Sequence, residues 1–389
     1  MSVELRPLGV KCNIACHYCY QNAERQVVGN AREYDLEQMK EALLREGSPF
    51  TLFGGEPLLI AKPDLEELFA FGFKHFGENS IQTNGTLLDQ GHVDMFLKYK
   101  VAVGLSIDGP GRCNAARWAG SQKRTAEATQ RSEDALDLLL SRGIKPGIIV
   151  TLHRANAQGD AFADLIDWLV SLDHLGIATV RLHLLEVDSE AVRQDLLLDE
   201  DQACRALEVL RDLERRVLKR MHFDIFREME TLLCGTDGVA SCTWRGCDPY
   251  TTPAVRGIEG HGHTSNCGRT NKSGVDYLKA KHHGVERYLA LYQTPQADGG
   301  CAGCRFFLAC KGQCPGTALE GDWRNRSEQC ILWMHMFNRI EADLVAAGAV
   351  PISLRSDRER IERIQVESWL RGENPPLSVI VAAAQEHVA

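Results

Sequence analysis

The chain has 389 residues, enough for roughly two or three domains and a large buried core. Hydrophobic residues at 44% and charged residues at 25% are those of an ordinary globular protein, which excludes a disordered, collagen-like or coiled-coil chain. With 44 Lys and Arg against 53 Asp and Glu the net charge is -9, which argues against a nucleic-acid surface as the main purpose.

No run approaches the roughly 20 apolar residues of a membrane-spanning helix, and Met1-Ser2-Val3-Glu4-Leu5-Arg6 lacks a signal-peptide core. The expectation is a cytoplasmic protein with neither membrane nor nucleic acid as partner. Fourteen cysteines are unusual there, because a reducing compartment does not staple chains with disulfides. Metal or cluster ligation explains them better.

From residue 1 to 235 the pattern alternates short β-branched runs with amphipathic helices, giving strands over 3–10, 49–54, 79–83, 101–107, 145–152 and 179–187. Asp35 caps the first helix, whose Leu36, Met39, Leu43 and Leu44 share one face. Further helices are expected over 62–76, 89–98, 126–141 and 159–172, with a charged helix over 199–221. Six βα units imply an α/β fold with a parallel sheet, either doubly wound or a partial barrel. Residues 236–335 are rich in Cys and Gly and poor in long apolar runs, as in a domain folded around metal centres. A helical tail over 336–389 follows, continuing a face of Trp333, Phe337, Ile340 and Leu344, with Pro375-Pro376 as a late break.

Directly after the first strand stands Cys12-Asn13-Ile14-Ala15-Cys16-His17-Tyr18-Cys19. Three thiolates on one tight loop hold three irons of a cubane and leave the fourth without a protein ligand. A structural zinc site asks for four ligands, so a lone trio suits zinc poorly. The C-x3-C-x2-C loop with Tyr18 before its third cysteine, followed by Gly54-Gly55-Glu56-Pro57, resembles the radical S-adenosylmethionine (SAM) enzymes. That resemblance implies a partial (β/α)6 barrel over residues 1–235 and a 4Fe-4S cluster on Cys12, Cys16 and Cys19, whose open iron chelates SAM. It further implies SAM contacts from Tyr18, Gly54, Gly55, Glu56 and Pro57, from Thr83 and Asn84 after the third strand, and from Ser106 after the fourth. The glycines would let backbone carbonyls approach the methionine ammonium, and Glu56 would add an acceptor. Arg117 and Asn156 follow the fourth and fifth strands, within reach of the same cofactor.

The second constellation is Cys301-x2-Cys304-x5-Cys310-x3-Cys314-x15-Cys330, preceded by Cys242, Cys247 and Cys267. It resembles the SPASM extension of radical SAM enzymes, which carries two auxiliary 4Fe-4S clusters. The resemblance implies Cys242, Cys247, Cys267 and Cys314 on the first and Cys301, Cys304, Cys310 and Cys330 on the second. Both clusters would then be closed and suited to electron transfer or to folding; with Cys242 free, the first would be open to a substrate group. A zinc ribbon on Cys301, Cys304, Cys310 and Cys314 leaves Cys247, Cys267 and Cys330 unexplained. Cys204 and Cys234 read as small core residues, and Cys113 lies near the expected barrel mouth. His261, His263, His282 and His283 read as loop residues.

The resemblance implies an oxidoreductase in which a 5'-deoxyadenosyl radical takes hydrogen from its substrate, and a reducing partner such as flavodoxin or ferredoxin. The expected substrate is a ribosomally made precursor peptide receiving a thioether or carbon crosslink. Only 11 residues precede Cys12, so leader recognition would fall to a separate peptide-recognition protein or another surface. A small molecule, such as an amino acid or sugar, is the alternative substrate. Sulfatase-maturase-like oxidation is a further one, although those relatives carry an acid directly after the cysteine matching Cys267, where Gly268 and Arg269 stand here. A non-catalytic metal-binding scaffold or electron carrier would have no use for the Gly54-Gly55-Glu56-Pro57 turn. No residue is singled out as proton donor or acceptor.

Overall fold

The computed structural model describes residues 3–28, 33–187, 189–245, 247–248, 255–265, 267–269 and 284–386. The chain divides into two units: Met1–Asp199, Val209–Phe223 and Val255–Leu278 form the first, and Glu200–Glu208, Asp224–Ala254 and Lys279–Ala389 the second.

The first unit is built on one nine-stranded sheet. Its strands are β1 (Val3–Arg6), β2 (Phe50–Leu52), β3 (Asn79–Thr83), β4 (Val101–Ser106), β5 (Gly147–Leu152), β6 (Thr179–Leu184), β7 (His222–Phe223), β8 (Arg256–Glu259) and β9 (Thr264–Ser265). They lie in the order β7-β6-β5-β4-β3-β2-β1-β8-β9, all parallel except β9 against β8. The six expected strands are therefore neighbours in chain order, as a partial (β/α)6 barrel requires, and β7 and β9 leave the sheet open. All but β3 are shorter than the apolar runs suggest, two of them for a plain local reason. Pro7 offers no N–H to continue β1, and β5 starts only after Pro146.

Six helices accompany these strands: α1 (Asn22–Val28), α2 (Leu36–Glu46), α3 (Lys62–Phe76), α4 (Gln90–Lys98), α5 (Gln122–Ser141) and α6 (Gly159–Leu175). After β6 come α7 (Glu190–Asp195) and α8 (Glu200–Arg216). As expected, Asp35 caps α2, accepting from the Gln38 N–H at 3.0 Å. Asp89 caps α4 in a reciprocal box with His92. Val3, Leu5, Leu52, Ile81 and Val103 on the strands pack against Met39 and Leu43 of α2, Leu65 and Phe69 of α3, and Phe96 of α4. Each fully buried side chain of this kind contributes about 1.5–3 kcal/mol.

Because side chains alternate along a strand, the other face of the sheet carries Glu4, Arg6, Thr51, Ser80, Gln82, Ser106, Thr151, Arg181 and His183. This face is stitched across strands, Thr51 Oγ1 to Ser80 Oγ at 2.6 Å and Gln82 Nε2 to Ser106 Oγ at 2.7 Å. A parallel sheet with one polar face has helices on the apolar side only, and the polar side is where a ligand has partners.

β8 lies within the stretch whose composition suggested a metal-centred domain, yet it pairs with β1 in register Val3 to Arg256 through Arg6 to Glu259. The second unit is helical: α9 (Asp224–Leu233), α10 (Glu286–Gln293), α11 (Phe307–Cys310), α12 (Cys330–Ala346), α13 (Arg358–Leu370) and α14 (Leu377–Glu386). Trp244 meets Trp333 and Phe337 edge-on, and Tyr288 stacks on Trp369. Leu308, Ile352, Ile361 and Ile380 close a smaller core among the last helices. Cys234 is exposed rather than buried, because the chain has already left α9 at that point. Cys113 is fully buried, its thiol donating to the Ala161 carbonyl at 3.1 Å, as a packing residue does. Among the described residues no helix is long and apolar enough to cross a membrane.

Candidate active site

Cys12, Cys16 and Cys19 occupy the loop between β1 and α1 at the carboxyl end of the sheet. Its backbone is pinned on one side by Ala15 N–H to Trp118 O at 2.7 Å and His17 N–H to Ala116 O at 2.9 Å. All three thiols are free, and they have cationic or amide donors nearby: Arg25 Nη2 lies 3.8 Å from Cys19 Sγ and Asn84 Nδ2 3.8 Å from Cys12 Sγ. Burial pushes the Cys12 thiol up, and pushes that of Cys16 up to about 12 although Arg117 pulls the other way. Thiols so reluctant to ionise become thiolates when a cation arrives to take their charge. The donor set therefore fits an iron cluster.

The Gly54-Gly55-Glu56 turn at the end of β2 clamps this loop from below. Gly55 N–H donates to Gly9 O and Glu56 N–H to Lys11 O, both at 2.9 Å. A Cβ on Gly54, whose φ is +120°, would stand 2.4 Å from Gly9 O, and one on Gly55 1.9 Å from Lys11 O. The approach of the cysteine loop's own backbone thus requires glycine at both positions. Glu56 is 1% exposed and accepts from Leu58 N–H at 3.0 Å, Thr83 Oγ1 at 2.7 Å and Asn84 N–H at 2.8 Å. It straps the end of β2 to the end of β3. Pro57 opens the short turn behind it. Asn84 reaches onward, Nδ2 to Asn13 Oδ1 at 2.9 Å, and Asn13 Nδ2 answers to Thr86 Oγ1 at 2.7 Å. Thr83 and Asn84 are thereby brought to the cysteine loop, while Ser106 lies further along the polar face beside Gln82.

Tyr18 is anchored from the far side. Its hydroxyl donates to Asp108, in the turn after β4, and accepts from Arg117 Nη1 at 3.2 Å. Asp108 also takes the Thr151 N–H at 2.9 Å, with Arg117 at 3.9 Å and His153 Nε2 at 3.6 Å. Burial alone would raise the Asp108 carboxyl, but His153, Arg117 and Tyr18 together hold it below its usual range. Asn156 gives its amide to the carbonyls of Asp108 and Thr151, at 3.0 and 2.9 Å, so it fixes β4 against β5. Sequence reading missed Asp108 and His153 as site residues, because their partners are distant in the chain. Their only linear cue is a position just past two strand ends.

A third group sits past the end of β6. Arg269 Nε pairs with Glu186 Oε1 at 2.7 Å, and Arg269 Nη2 lies 3.3 Å from His183 Nδ1. Burial, then Arg269 and Arg181, holds His183 well below its ordinary value, so the ring is neutral. Glu186 Oε2 is buried and has no hydrogen-bond partner among the described residues. Two residues before Arg269, Cys267 is an electrostatic neighbour of Tyr20 and Arg6. A Cβ on Gly268 would be 3.0 Å from the Tyr20 ring, so a side chain at the position following Cys267 needs Tyr20 to move.

In the second unit Cys301, Cys304 and Cys330 all act on Cys310, whose thiol is raised first by its own burial and then by these three. Four free thiols in one neighbourhood fit a four-iron cluster, with one thiolate per iron. Among the described residues no three His, Cys, Asp or Glu side chains close in as ligands of one ion. His261 and His263 are both exposed; His282 and His283 lie outside the described residues.

The sequence profile of the Radical SAM superfamily matches residues 7–169. A cysteine-type anaerobic sulfatase-maturating enzyme of Clostridium perfringens is 34% identical over 123 residues, 28% of this chain and 33% of that protein. A serine-type enzyme of Klebsiella aerogenes is 28% identical over 211 residues, 51% of this chain and 50% of that protein. Fe-coproporphyrin III synthase of Methanosarcina barkeri is 30% identical over 215 residues, 53% of this chain and 50% of that protein. The chain thus spans half the length or less of the curated relatives it matches. Among solved structures, native anSMEcpe with bound AdoMet and Cp18Cys peptide superposes with a TM-score of 0.68 at 21% identity, over 89% of this chain and 98% of that one. SuiB of Streptococcus suis does so at 0.56 and 16%, over 84% and 76%. These likenesses show a shared fold.

Proposed function

We propose that this chain, whose residues 7–169 match the Radical SAM superfamily, is an oxidoreductase holding a 4Fe-4S cluster on Cys12, Cys16 and Cys19, with SAM at its open iron. With both bound, reductive cleavage of SAM supplies a 5'-deoxyadenosyl radical that takes hydrogen from the substrate. The observation carrying this reading is the clamped loop: three free thiols on a loop pinned by Gly54, Gly55 and Glu56 on one side and by Ala116 and Trp118 on the other.

The chain's own residues supply the rest. The Tyr18, Asp108 and Arg117 network fixes the loop against the ends of β4 and β5. The polar sheet face of Thr51, Ser80, Gln82 and Ser106 offers partners to a ribose or an amino-acid moiety. Cys301, Cys304, Cys310 and Cys330 hold one auxiliary cluster; Cys242, Cys247, Cys267 and Cys314 are assigned to the other on the resemblance to SPASM domains. Such centres accept the electron that a substrate radical must lose if the product is oxidised. An external one-electron donor of the flavodoxin or ferredoxin kind supplies the reducing equivalent for SAM cleavage.

The preferred substrate is a peptide, a reading supported by the fold shared with anSMEcpe and SuiB, whose structures include peptide complexes. A small molecule is the second reading, favoured by the likeness to Fe-coproporphyrin III synthase. Sulfatase-maturase-like oxidation is supported by the curated relatives and opposed by Gly268, where the family resemblance leads one to expect an acid. The unfilled oxygen of Glu186 is the acceptor we assign to a substrate N–H or O–H. Glu186→Gln is expected to raise KM tenfold or more with bound SAM and iron unchanged; an unchanged KM would remove Glu186 from the substrate site.

The test is anaerobic reconstitution followed by SAM, reductant and substrate. Formation of 5'-deoxyadenosine that is lost in Cys16→Ala supports the radical reading, and its absence from wild type contradicts it. A loss of two hydrogens from a candidate precursor peptide supports the peptide reading, and turnover of small molecules alone contradicts it.

A further inference from the structure

Arg287 on α10 is a buried charge without an ordinary counter-charge. It is 1% exposed, and its guanidinium donates to three backbone carbonyls: Trp323 O at 2.6 Å, Asn325 O at 2.9 Å and Gln313 O at 3.3 Å. Among the described residues no carboxylate pairs with it. Carbonyl dipoles satisfy the N–H groups but carry no net charge, and an uncompensated ion in a protein interior costs several kcal/mol.

The groups around it that can carry negative charge are cysteines. Cys247, Cys314 and Cys301 are the strongest of its electrostatic neighbours. The backbone ties Cys314 and Cys301 to it. Gln313, which accepts from Arg287, directly precedes Cys314, and the Cys314 N–H in turn donates to Gln313 Oε1 at 2.6 Å. Leu291, one helical turn along α10, accepts from the Cys301 N–H at 2.7 Å. As neutral thiols these residues give Arg287 nothing. As thiolates on iron they do, since a 4Fe-4S centre with four thiolates is a net anion in both oxidation states.

Resting on the assignment of eight cysteines to two auxiliary clusters, we propose that Arg287 is the counter-ion shared by those clusters, standing beside the first at Cys314 and beside the second at Cys301. Reduction adds one electron to a cluster and makes it more anionic, so a fixed cation beside it stabilises the reduced form and raises the potential. Arg287 thereby makes the pair better acceptors for an electron leaving the substrate. No part of the SAM-binding loop is involved.

The experiment is an EPR-monitored redox titration of the full chain, reconstituted anaerobically, as wild type, Arg287→Gln and Arg287→Lys, after iron and sulfide have been counted. Wild-type iron for three four-iron clusters is the precondition; iron for one cluster overturns the ligand assignment itself. In Arg287→Gln with full iron, the equilibrium constant for reducing an auxiliary centre should fall about tenfold, about 59 mV for a one-electron couple. The three-cysteine centre should stay where it is. Arg287→Lys keeps the charge and should move by less than half as much. Unchanged auxiliary potentials in Arg287→Gln, or equal shifts in both variants, overturn the proposal. If Arg287→Gln holds no auxiliary iron, Arg287→Lys decides: clusters retained support a charge role, and clusters lost overturn it in favour of hydrogen bonding alone.

Discussion

Gly55→Ala is expected to abolish SAM cleavage while the sheet itself stays folded. The added methyl would lie 1.9 Å from Lys11 O, 2.3 Å from Lys11 C and 2.7 Å from Val10 C. All three are backbone atoms, so no rotamer change relieves the overlap. The turn must separate from the segment leading into Cys12, which breaks the Gly55 N–H to Gly9 O and Glu56 N–H to Lys11 O hydrogen bonds. Overpacking of this kind costs about 1–3 kcal/mol, and each lost hydrogen bond about 0.5–1.5 kcal/mol. The displacement falls directly on the first cysteine of the cluster loop. Bound iron at the three-cysteine centre and 5'-deoxyadenosine formation should each drop at least tenfold, with the circular dichroism spectrum unchanged. Wild-type iron and wild-type cleavage in this variant would mean that the clamp does not position the loop.

Asp108→Ala is the second large effect, and it acts from the opposite side. Asp108 is fully buried and accepts from Tyr18 and from the Thr151 N–H, with the Arg117 guanidinium 3.9 Å away. Truncation leaves a buried cation and two donors unmatched, a loss of about 3–5 kcal/mol by analogy with other broken buried pairs. Tyr18 also lies between Cys16 and Cys19 in the chain, so its release frees two of the three ligands. Chemical denaturation of the protein without iron should register the stability loss, and reconstitution should yield less iron per chain. A change below about 1 kcal/mol would show that the network is dispensable. Asp108→Asn, which keeps the volume and one acceptor, should fall between the two.

These two positions also mark how far the primary sequence could be read. β3 over Asn79–Thr83 and α3 over Lys62–Phe76 match their expected bounds, because alternation in one and an apolar stripe in the other are local properties. Asp35 was legible as a cap for the same reason. β8 was not. Four residues containing Gly257 carry almost no strand propensity, and what makes them a strand is β1, some 250 positions away. The motif glycines and Glu56 also make contacts within the chain that their spacing does not report. Glu56 is bonded wholly within the protein, to Leu58, Thr83 and Asn84, and Gly54 and Gly55 make room for Gly9 and Lys11. The same holds for Asp108, whose contacts with Tyr18 and Thr151 join positions 90 and 43 residues apart. No spacing rule reports such a pairing. Arg287 looks like any helical arginine until its carbonyl partners are seen.

The most direct measurement is the EPR spectrum of the dithionite-reduced, anaerobically reconstituted protein before and after SAM is added. Binding of SAM to an iron that Cys12, Cys16 and Cys19 leave open should change the g-values of that centre, and Cys16→Ala should remove the change. A spectrum indifferent to SAM in protein with its full iron content would contradict an open iron at this loop.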